Sequence, residues 1–150
     1  MDLLAVQIQR GMEEVRACNA YSGEYGLMLR ESEIRELVAG RKQALKDTDR
    51  IEFGGGILPG LIRAVCSSPY LDRENYAVML AELQEAFYYF KGETDALFSD
   101  EELIEMMVSV FNGRAQGSVD YLLGTSMEEL CRYAREDFGL PGPDEAGDLF

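Results

Sequence analysis

The feature that most constrains the fold is an apolar repeat with helical spacing near the middle of the chain. It consists of Tyr76, Leu80, Leu83, Phe87 and Phe90, which follow one another at alternating intervals of four and three residues. Side chains at these intervals lie on one face of an α-helix. Asp72, a residue type that favours helix N-caps, precedes the repeat, and Gly92 follows it. We therefore expect a helix over residues 73–91 near the centre of the molecule.

The same interval recurs in most of the remaining chain. Apolar stripes predict further helices over residues 3–18, 31–47, 59–66 and 100–111, and a last helical region over residues 118–138. Ser99 and Glu102 have the spacing of a capping box at the start of the helix over 100–111. The predicted fold class is all-α: a compact bundle of about six helices.

The last helical region contains its own start signal. Thr125 and Glu128 also have the spacing of a capping box, so a break near Gly124 competes with one continuous helix. Val119, Leu122, Leu123, Leu130 and Ala134 are expected to face inward. We assign residues 1–138 to a single domain and residues 139–150, which are rich in glycine and proline, to a flexible C-terminal tail.

The cysteines and the apolar runs predict a cytoplasmic protein. Cys18, Cys66 and Cys131 are odd in number, far apart and embedded in apolar helical patterns, which is typical of reduced, buried thiols. The N-terminus has no signal-peptide pattern, and no apolar stretch approaches the roughly 20 residues that span a bilayer.

Negative charge is concentrated in the second half of the chain. Residues 1–75 carry 12 acids and 10 bases (net −2), whereas residues 76–150 carry 16 acids and 4 bases (net −12), and no base lies between Lys91 and Arg114. Such a field repels nucleic-acid phosphates and anionic lipid. We expect no nucleic-acid or membrane binding, while a protein partner or a second copy of the chain is permitted.

The chain contains no histidine, which excludes Ser-His-Asp and Cys-His catalysis. The helical di-iron pattern needs Glu-x-x-His, and Glu82 and Glu85 supply only its carboxylate spacing. We expect no catalytic residues, no metal site and no cofactor. A non-enzymatic protein is favoured over an enzyme.

A glycine-rich segment, Gly54–Gly60, offers one candidate ligand site. Consecutive backbone N–H groups before a helix can hold an anion. The segment departs from known phosphate loops, since Leu61 and Ile62 stand where such a loop needs Lys and Ser or Thr. A tight turn that lets two helices approach closely is the competing interpretation. The candidate ligand-binding residues are Arg50, Glu52, Gly54, Gly55, Gly56, Arg63, Glu82, Glu85 and Tyr88.

Residues 99–123 resemble an EF-hand helix and loop. Gly117 and Asp120 fall at loop positions six and nine, but Arg114 and Leu123 occupy positions three and twelve, where calcium needs oxygen ligands. We therefore expect no calcium binding. By analogy with paired EF-hand loops, we expect at most one very short two-stranded pairing, between residues 51–53 and 118–120.

Residues 87–90, Phe-Tyr-Tyr-Phe, place aromatic rings all around one helical turn, so at least one ring must lie off the buried face. Packing in the core and a ligand-stacking or partner-binding surface are the two interpretations.

Three segments together, Ile51–Pro59, Glu82–Lys91 and Gln116–Leu122, resemble an uncharacterised family of small bacterial all-helical proteins, a domain of unknown function. The resemblance spans nearly the whole chain apart from the tail and implies a bacterial cytoplasmic protein without implying an activity. Our leading hypothesis is a protein-interaction module that uses its acidic C-terminal half. The alternative is a binder of an anion or small molecule, or an unorthodox enzyme, that uses the Gly54–Gly60 loop and nearby carboxylates and aromatics.

Overall fold

The computed structural model describes residues 3–48, 50–52, 56–94 and 98–138, and its regular elements there are helices. They are α1 (Leu3–Ala17), α2 (Asn19–Ser22), α3 (Glu31–Asp47), α4 (Leu58–Val65), α5 (Tyr76–Thr94), α6 (Asp100–Asn112), α7 (Val119–Leu123) and α8 (Met127–Phe138), with a 3-10 turn at Gly23–Tyr25. Six of these described helices have eight or more residues. The predicted all-helical fold class is confirmed.

The described ranges contain no strand, and the short pairing considered between residues 51–53 and 118–120 is not formed. Val119 and Asp120 begin α7 instead, while Glu52 is held by side-chain contacts. Phe53 lies outside the described residues, as does the tail assigned to residues 139–150. None of the described helices is both long and apolar enough to cross a bilayer.

Helix α5 is the centre of the bundle, as its apolar repeat predicts. It packs against α3, α4, α6, α7 and α8. All five side chains of the repeat are buried, and burying a side chain of this size contributes about 1.5–3 kcal/mol. Within residues 87–90, only the Tyr89 ring is exposed, which confirms that one aromatic lies off the core face.

Asp72 makes the hydrogen bonds of an N-cap, as its residue type predicts, although the regular helix α5 begins later than residue 73. The Asp72 carboxylate accepts hydrogen bonds from the backbone N–H groups of Glu74 and Asn75, and Asn75 donates its side-chain amide to the Tyr70 carbonyl. The helix starts at Tyr76.

Capping boxes mark the starts of α6 and α8. The box at α6 lies where it was predicted, and the box at α8 lies one residue later. Ser99 N–H donates to Glu102 Oε1 at 3.0 Å and Glu102 N–H donates to Ser99 Oγ at 3.1 Å. At α8 the box is formed by Ser126 and Glu129, not by Thr125 and Glu128. The Thr125 hydroxyl is used differently, since it donates to the Tyr121 carbonyl.

The break predicted near Gly124 separates α7 from α8, but one side chain expected inside is not. Leu122, Leu130 and Ala134 are fully buried, whereas Leu123 is more than one third exposed. Helix α7 has only five residues, so its buried face is limited to Val119 and Leu122. The prediction treated residues 118–138 as one helical region and therefore placed Leu123 on the buried face, which is wrong.

The turn between α6 and α7 is shaped by close packing against Tyr70. Gly117 adopts φ +81°, and a Cβ at this position would lie only 2.6 Å from Tyr70 Cβ. Gly117 N–H donates to the Phe111 carbonyl at 2.8 Å, and Ser68 Oγ donates to the Asn112 side-chain oxygen. The turn between α6 and α7 thus packs closely around an aromatic side chain. In the described ranges no three acidic, cysteine or histidine side chains are grouped as metal ligands.

Replacing Gly117 by Ala should lower the free energy of unfolding by about 2–4 kcal/mol, because the variant combines a left-handed backbone with a clash against Tyr70. The matched control is Gly92→Ala in α5, where a Cβ meets no atom within 4 Å. Replacing a glycine inside a helix by alanine should raise the free energy of unfolding by about 0.5–1 kcal/mol. Urea denaturation measures both, and effects of the same sign would contradict the packing described.

The capping box at α6 should make stability depend on pH. Hydrogen bonds from the Ser99 backbone and hydroxyl hold the pKa of Glu102 below its usual range. A lowered folded-state pKa contributes stability above the unfolded value of about 4.3, and this contribution is lost as pH falls through the folded-state pKa. Glu102→Gln should therefore be less stable than wild type at pH 7, and the difference should shrink as pH falls below about 4.3. A difference in urea midpoints that stays constant from pH 7 to pH 3 would refute this origin.

Candidate functional site

Six polar side chains from distant parts of the sequence meet in one place, which we call the charged cluster. Its members are Arg41, Arg50, Glu52, Tyr88, Lys91 and Asp100. Helix α3 supplies the first residue, the segment after α3 the next two, α5 the tyrosine and the lysine, and the first turn of α6 the aspartate. The cluster therefore joins three long helices and the connection that follows α3.

The Glu52 carboxylate lies at the middle of the charged cluster. Tyr88 OH donates to Glu52 Oε1 at 2.8 Å, and Arg50 donates to Oε2 through Nη2 at 3.1 Å and Nε at 3.3 Å. Arg41 approaches Oε1 at 3.5 Å through both Nη2 and Nε. Both carboxylate oxygens are thus engaged by donors.

Lys91 and Asp100 extend the charged cluster towards α6. Lys91 Nζ lies 2.9 Å from Asp100 Oδ1 and donates to the Phe98 carbonyl at 2.6 Å. Arg50 Nη2 lies 3.6 Å from the same Asp100 oxygen, which links the two halves. Asp100 thereby receives one cation from α5 and one from the segment after α3.

Three side chains of the charged cluster are shielded from solvent. Those of Arg41, Glu52 and Lys91 are only 7%, 9% and 8% exposed, whereas those of Arg50 and Asp100 are 27% and 39% exposed. Because a shielded charge is costly without a partner, the contacts among these side chains hold them in place.

Gly56 lies directly against this cluster. Its φ is +58°, and a Cβ at this position would overlap the Arg41 guanidinium and Glu52 Oε1. Only glycine satisfies both the backbone conformation and the close approach. This observation supports the tight-turn interpretation of the glycine segment at this residue. Gly54 and Gly55 lie outside the described residues.

The Glu52 carboxylate is not free to act as a general base. It accepts from Tyr88 and from Arg50, and both of its oxygens are in use. Burial, reinforced by the negative charge of Glu52, raises the pKa of Tyr88, so the phenol keeps its proton near neutral pH. The contacts hold these groups in place.

The structure brings together some of the ligand-binding residues that the sequence predicts and places the others elsewhere. Arg50, Glu52, Gly56 and Tyr88 come together, as the alternative hypothesis required. Glu82 and Glu85 do not join them, since both are exposed on α5. Arg63 lies on α4, with its guanidinium 5.6 Å from the centroid of the Tyr21 ring, and faces other depressions of the surface.

A small pocket, which we call the basic pocket, opens beside the charged cluster between α1 and α3. Its volume is about 210 Å³. It is lined by Gln7, Ile8, Val38, Arg41, Lys42, Leu45, Lys46, Arg50 and Glu52. Four of these nine residues are basic and one is acidic, in a chain where acids outnumber bases two to one.

Sequence reasoning missed the contribution of α3 to this site. None of the predicted ligand-binding residues lies on α3, yet Arg41 of this helix is buried in the charged cluster. The spacing contained a usable signal. Arg41 and Lys42 follow Val38 by three and four residues, so they border the apolar stripe rather than oppose it. Lys91 and Asp100 carried no such signal, because their pairing depends on how α5 meets α6.

Replacing Glu52 by Gln should lower the free energy of unfolding by about 3–5 kcal/mol, because Arg41 would keep its burial and lose its carboxylate. The matched control is Glu82→Gln, an exposed acid on α5, which should change stability by less than about 0.5 kcal/mol. Urea denaturation at neutral pH compares the two. Equal effects would mean that Glu52 is not the centre of the cluster.

Comparison with known proteins identifies a family and no activity. No curated protein and no solved structure matches the chain. The sequence profile of the family of unknown function DUF6323 matches residues 14–139, which include α2 to α8 complete and every member of the charged cluster. The chain belongs to the family of unknown function DUF6323.

Proposed function

We propose that this protein binds a small, multiply charged oxyanion, such as phosphate or a small phosphoester, in the basic pocket. The observation that carries the proposal is the ratio of four bases to one acid in that pocket, in a chain of net charge −14. All nine lining residues lie within residues 1–75, where 10 bases and 12 acids would give about equal numbers, so a ratio of four to one is an excess of bases. The anion-binding hypothesis thus moves ahead of the protein-interaction hypothesis, with α3 in place of the glycine segment.

The donors in the pocket differ in exposure, and this suits the capture of an anion. Arg50 is partly exposed and can turn its guanidinium N–H groups to a ligand while Glu52 fixes its position. Lys42 and Lys46 are exposed at the rim and supply charge without a rigid geometry. A planar guanidinium held by a carboxylate is a good partner for phosphate oxygens, because little side-chain freedom is lost on binding.

The volume limits the size of the ligand. Drug-sized ligands occupy pockets of about 300–1,000 Å³, whereas this pocket holds about 210 Å³. An inorganic oxyanion or a compound of few atoms fits, and a nucleotide does not. The apolar side chains of Ile8, Val38 and Leu45 line part of the wall, which leaves room for a short carbon skeleton attached to the anionic group.

A competing explanation of the bases is the helix dipole, which favours cations near the C-terminus of α3. It accounts for Lys46, the only base in the last turn. It does not account for Arg41, which is buried in the helix interior, or for Arg50, which lies beyond the helix. The excess charge therefore has a cause other than the dipole.

The proposed role is binding without catalysis, in the cytoplasm. Support for the first part comes from Glu52, whose oxygens are both engaged. Support for the second comes from Cys18, Cys66 and Cys131, which are free and buried, as is typical of proteins in a reducing compartment.

The test is thermal unfolding of the full chain in phosphate against chloride at equal ionic strength. At about 100 times Kd, linkage stabilises the folded state by about 2.7 kcal/mol, or about 5–10 °C for a chain of this size. In Lys42→Gln/Lys46→Gln, phosphate should bind about tenfold more weakly, because two exposed charges of about 0.7 kcal/mol each are lost. Isothermal titration calorimetry gives both dissociation constants.

The control variant is Arg35→Gln/Arg73→Gln, which removes two exposed bases outside the pocket. Phosphate also stabilises proteins without binding, by exclusion from their surfaces, and this effect is common to all three proteins. The proposal stands if only the pocket variant loses affinity. It is wrong if the three proteins gain the same stability in phosphate and calorimetry detects no binding.

A further inference from the structure

A second concave surface lies between α4 and α6, and we call it the α4–α6 groove. Its volume is about 440 Å³, and it shares no lining residue with the basic pocket. It is lined by Gly60, Arg63, Ala64, Glu101, Ile104, Glu105, Val108 and Ser109. Ile104 and Val108 are one turn apart on α6, and Gly60 and Ala64 are one turn apart on α4. Together they make a floor of apolar and small residues.

The fold does not require glycine at position 60. Gly60 lies inside α4, where glycine costs about 0.5–1 kcal/mol relative to alanine. A Cβ there would sit 3.7 Å from Ile104 Cδ1, an ordinary van der Waals contact. Gly60 therefore differs from Gly56 and Gly117, where close neighbours exclude a side chain. Because Gly60 has no side chain, the groove is deeper at this position.

The rim of the groove is acidic along α6. Glu101 and Glu105 are exposed and one turn apart, on the same side as Ile104 and Val108. They lie in the part of the sequence between Lys91 and Arg114 that contains no base. The α4 rim carries a single base, Arg63. An occupant therefore meets apolar contacts at the floor and negative charge along one wall.

We propose that the α4–α6 groove binds a short basic amphipathic helix of a partner protein. Helix α4 has eight residues and spans about 12 Å, so the groove matches about two turns of a helix. Apolar side chains at positions i, i+3 or i+4, and i+7 would lie on the floor between Gly60 and Val108. Lys or Arg side chains beside this stripe would face Glu101 and Glu105, and charge complementarity sets the orientation.

A partner of this chemistry fits better than a second copy of the chain. A helix that lies along Glu101 and Glu105 needs bases next to its apolar stripe, and in the described part of this chain bases border the apolar stripes of α1, α3 and α8. These stripes already pack inside the fold, since Val15, Val38 and Leu130 are buried. The inference is independent of anion binding, because the two surfaces are separate.

The test is selection of peptides from a displayed library of helical peptides, with the purified full chain as the target, followed by fluorescence anisotropy of the selected peptides. Selected sequences should carry an apolar stripe flanked by Lys or Arg. Gly60→Leu places a side chain in the groove, with its Cβ at ordinary contact distance from Ile104 Cδ1, and should weaken binding at least about tenfold while circular dichroism shows an unchanged helical fold. Glu101→Gln/Glu105→Gln should weaken it about fivefold, through the loss of two exposed charges.

The matched control is Glu82→Gln/Glu85→Gln, which removes two exposed acids from α5 and should leave affinity within about twofold. The proposal is overturned if no peptide is selected, if selected peptides lack basic residues, or if Gly60→Leu binds them as well as wild type. It is also overturned if light scattering shows a wild-type dimer that Gly60→Leu converts to a monomer, since the groove would then hold a second copy.

Discussion

The position of the longest helices depends on the interaction of one carboxylate, that of Glu52, with donors from α3, α5 and the segment between α3 and α4. Hydrophobic packing alone allows helices to slide or rotate by small amounts, because apolar contacts have little directionality. A shielded ion pair tolerates far less displacement, since a lost contact leaves charge without compensation. Glu52 therefore sets how α3 lies against α5, and Gly56 lets the chain enter α4 beside it.

In the folded protein, the bases and the acids of the sequence lie on separate surfaces. The few bases are not spread evenly among the acids. Several gather beside α3, where the basic pocket opens, and Lys91 turns inward to Asp100 and the Phe98 carbonyl. Glu101, Glu102 and Glu105 of α6 remain exposed to water, and Glu102 caps the helix that carries it. A strongly acidic protein thereby keeps one cationic cavity and one apolar groove with an acidic rim.

The fold could be predicted from the sequence because apolar periodicity and capping residues act over a few neighbouring residues. The repeat of α5 and the Ser99–Glu102 box are local in this sense. Short elements could not be predicted, since α2 has four residues and carries no period. The candidate site was predicted only in part. Arg50, Glu52 and Tyr88 were chosen for their chemistry, whereas Arg41, Lys91 and Asp100 join them through helix packing, which periodicity does not specify.

The dependence of Gly56 on the ion pair beneath it has an evolutionary consequence. A side chain at position 56 requires the ends of Arg41 and Glu52 to move, and loss of Glu52 removes a carboxylate from beside the buried guanidinium of Arg41. A replacement at one of these three positions therefore disturbs the other two. In distant members of the family, we therefore expect the residues at positions 41, 52 and 56 to be either all kept or all replaced.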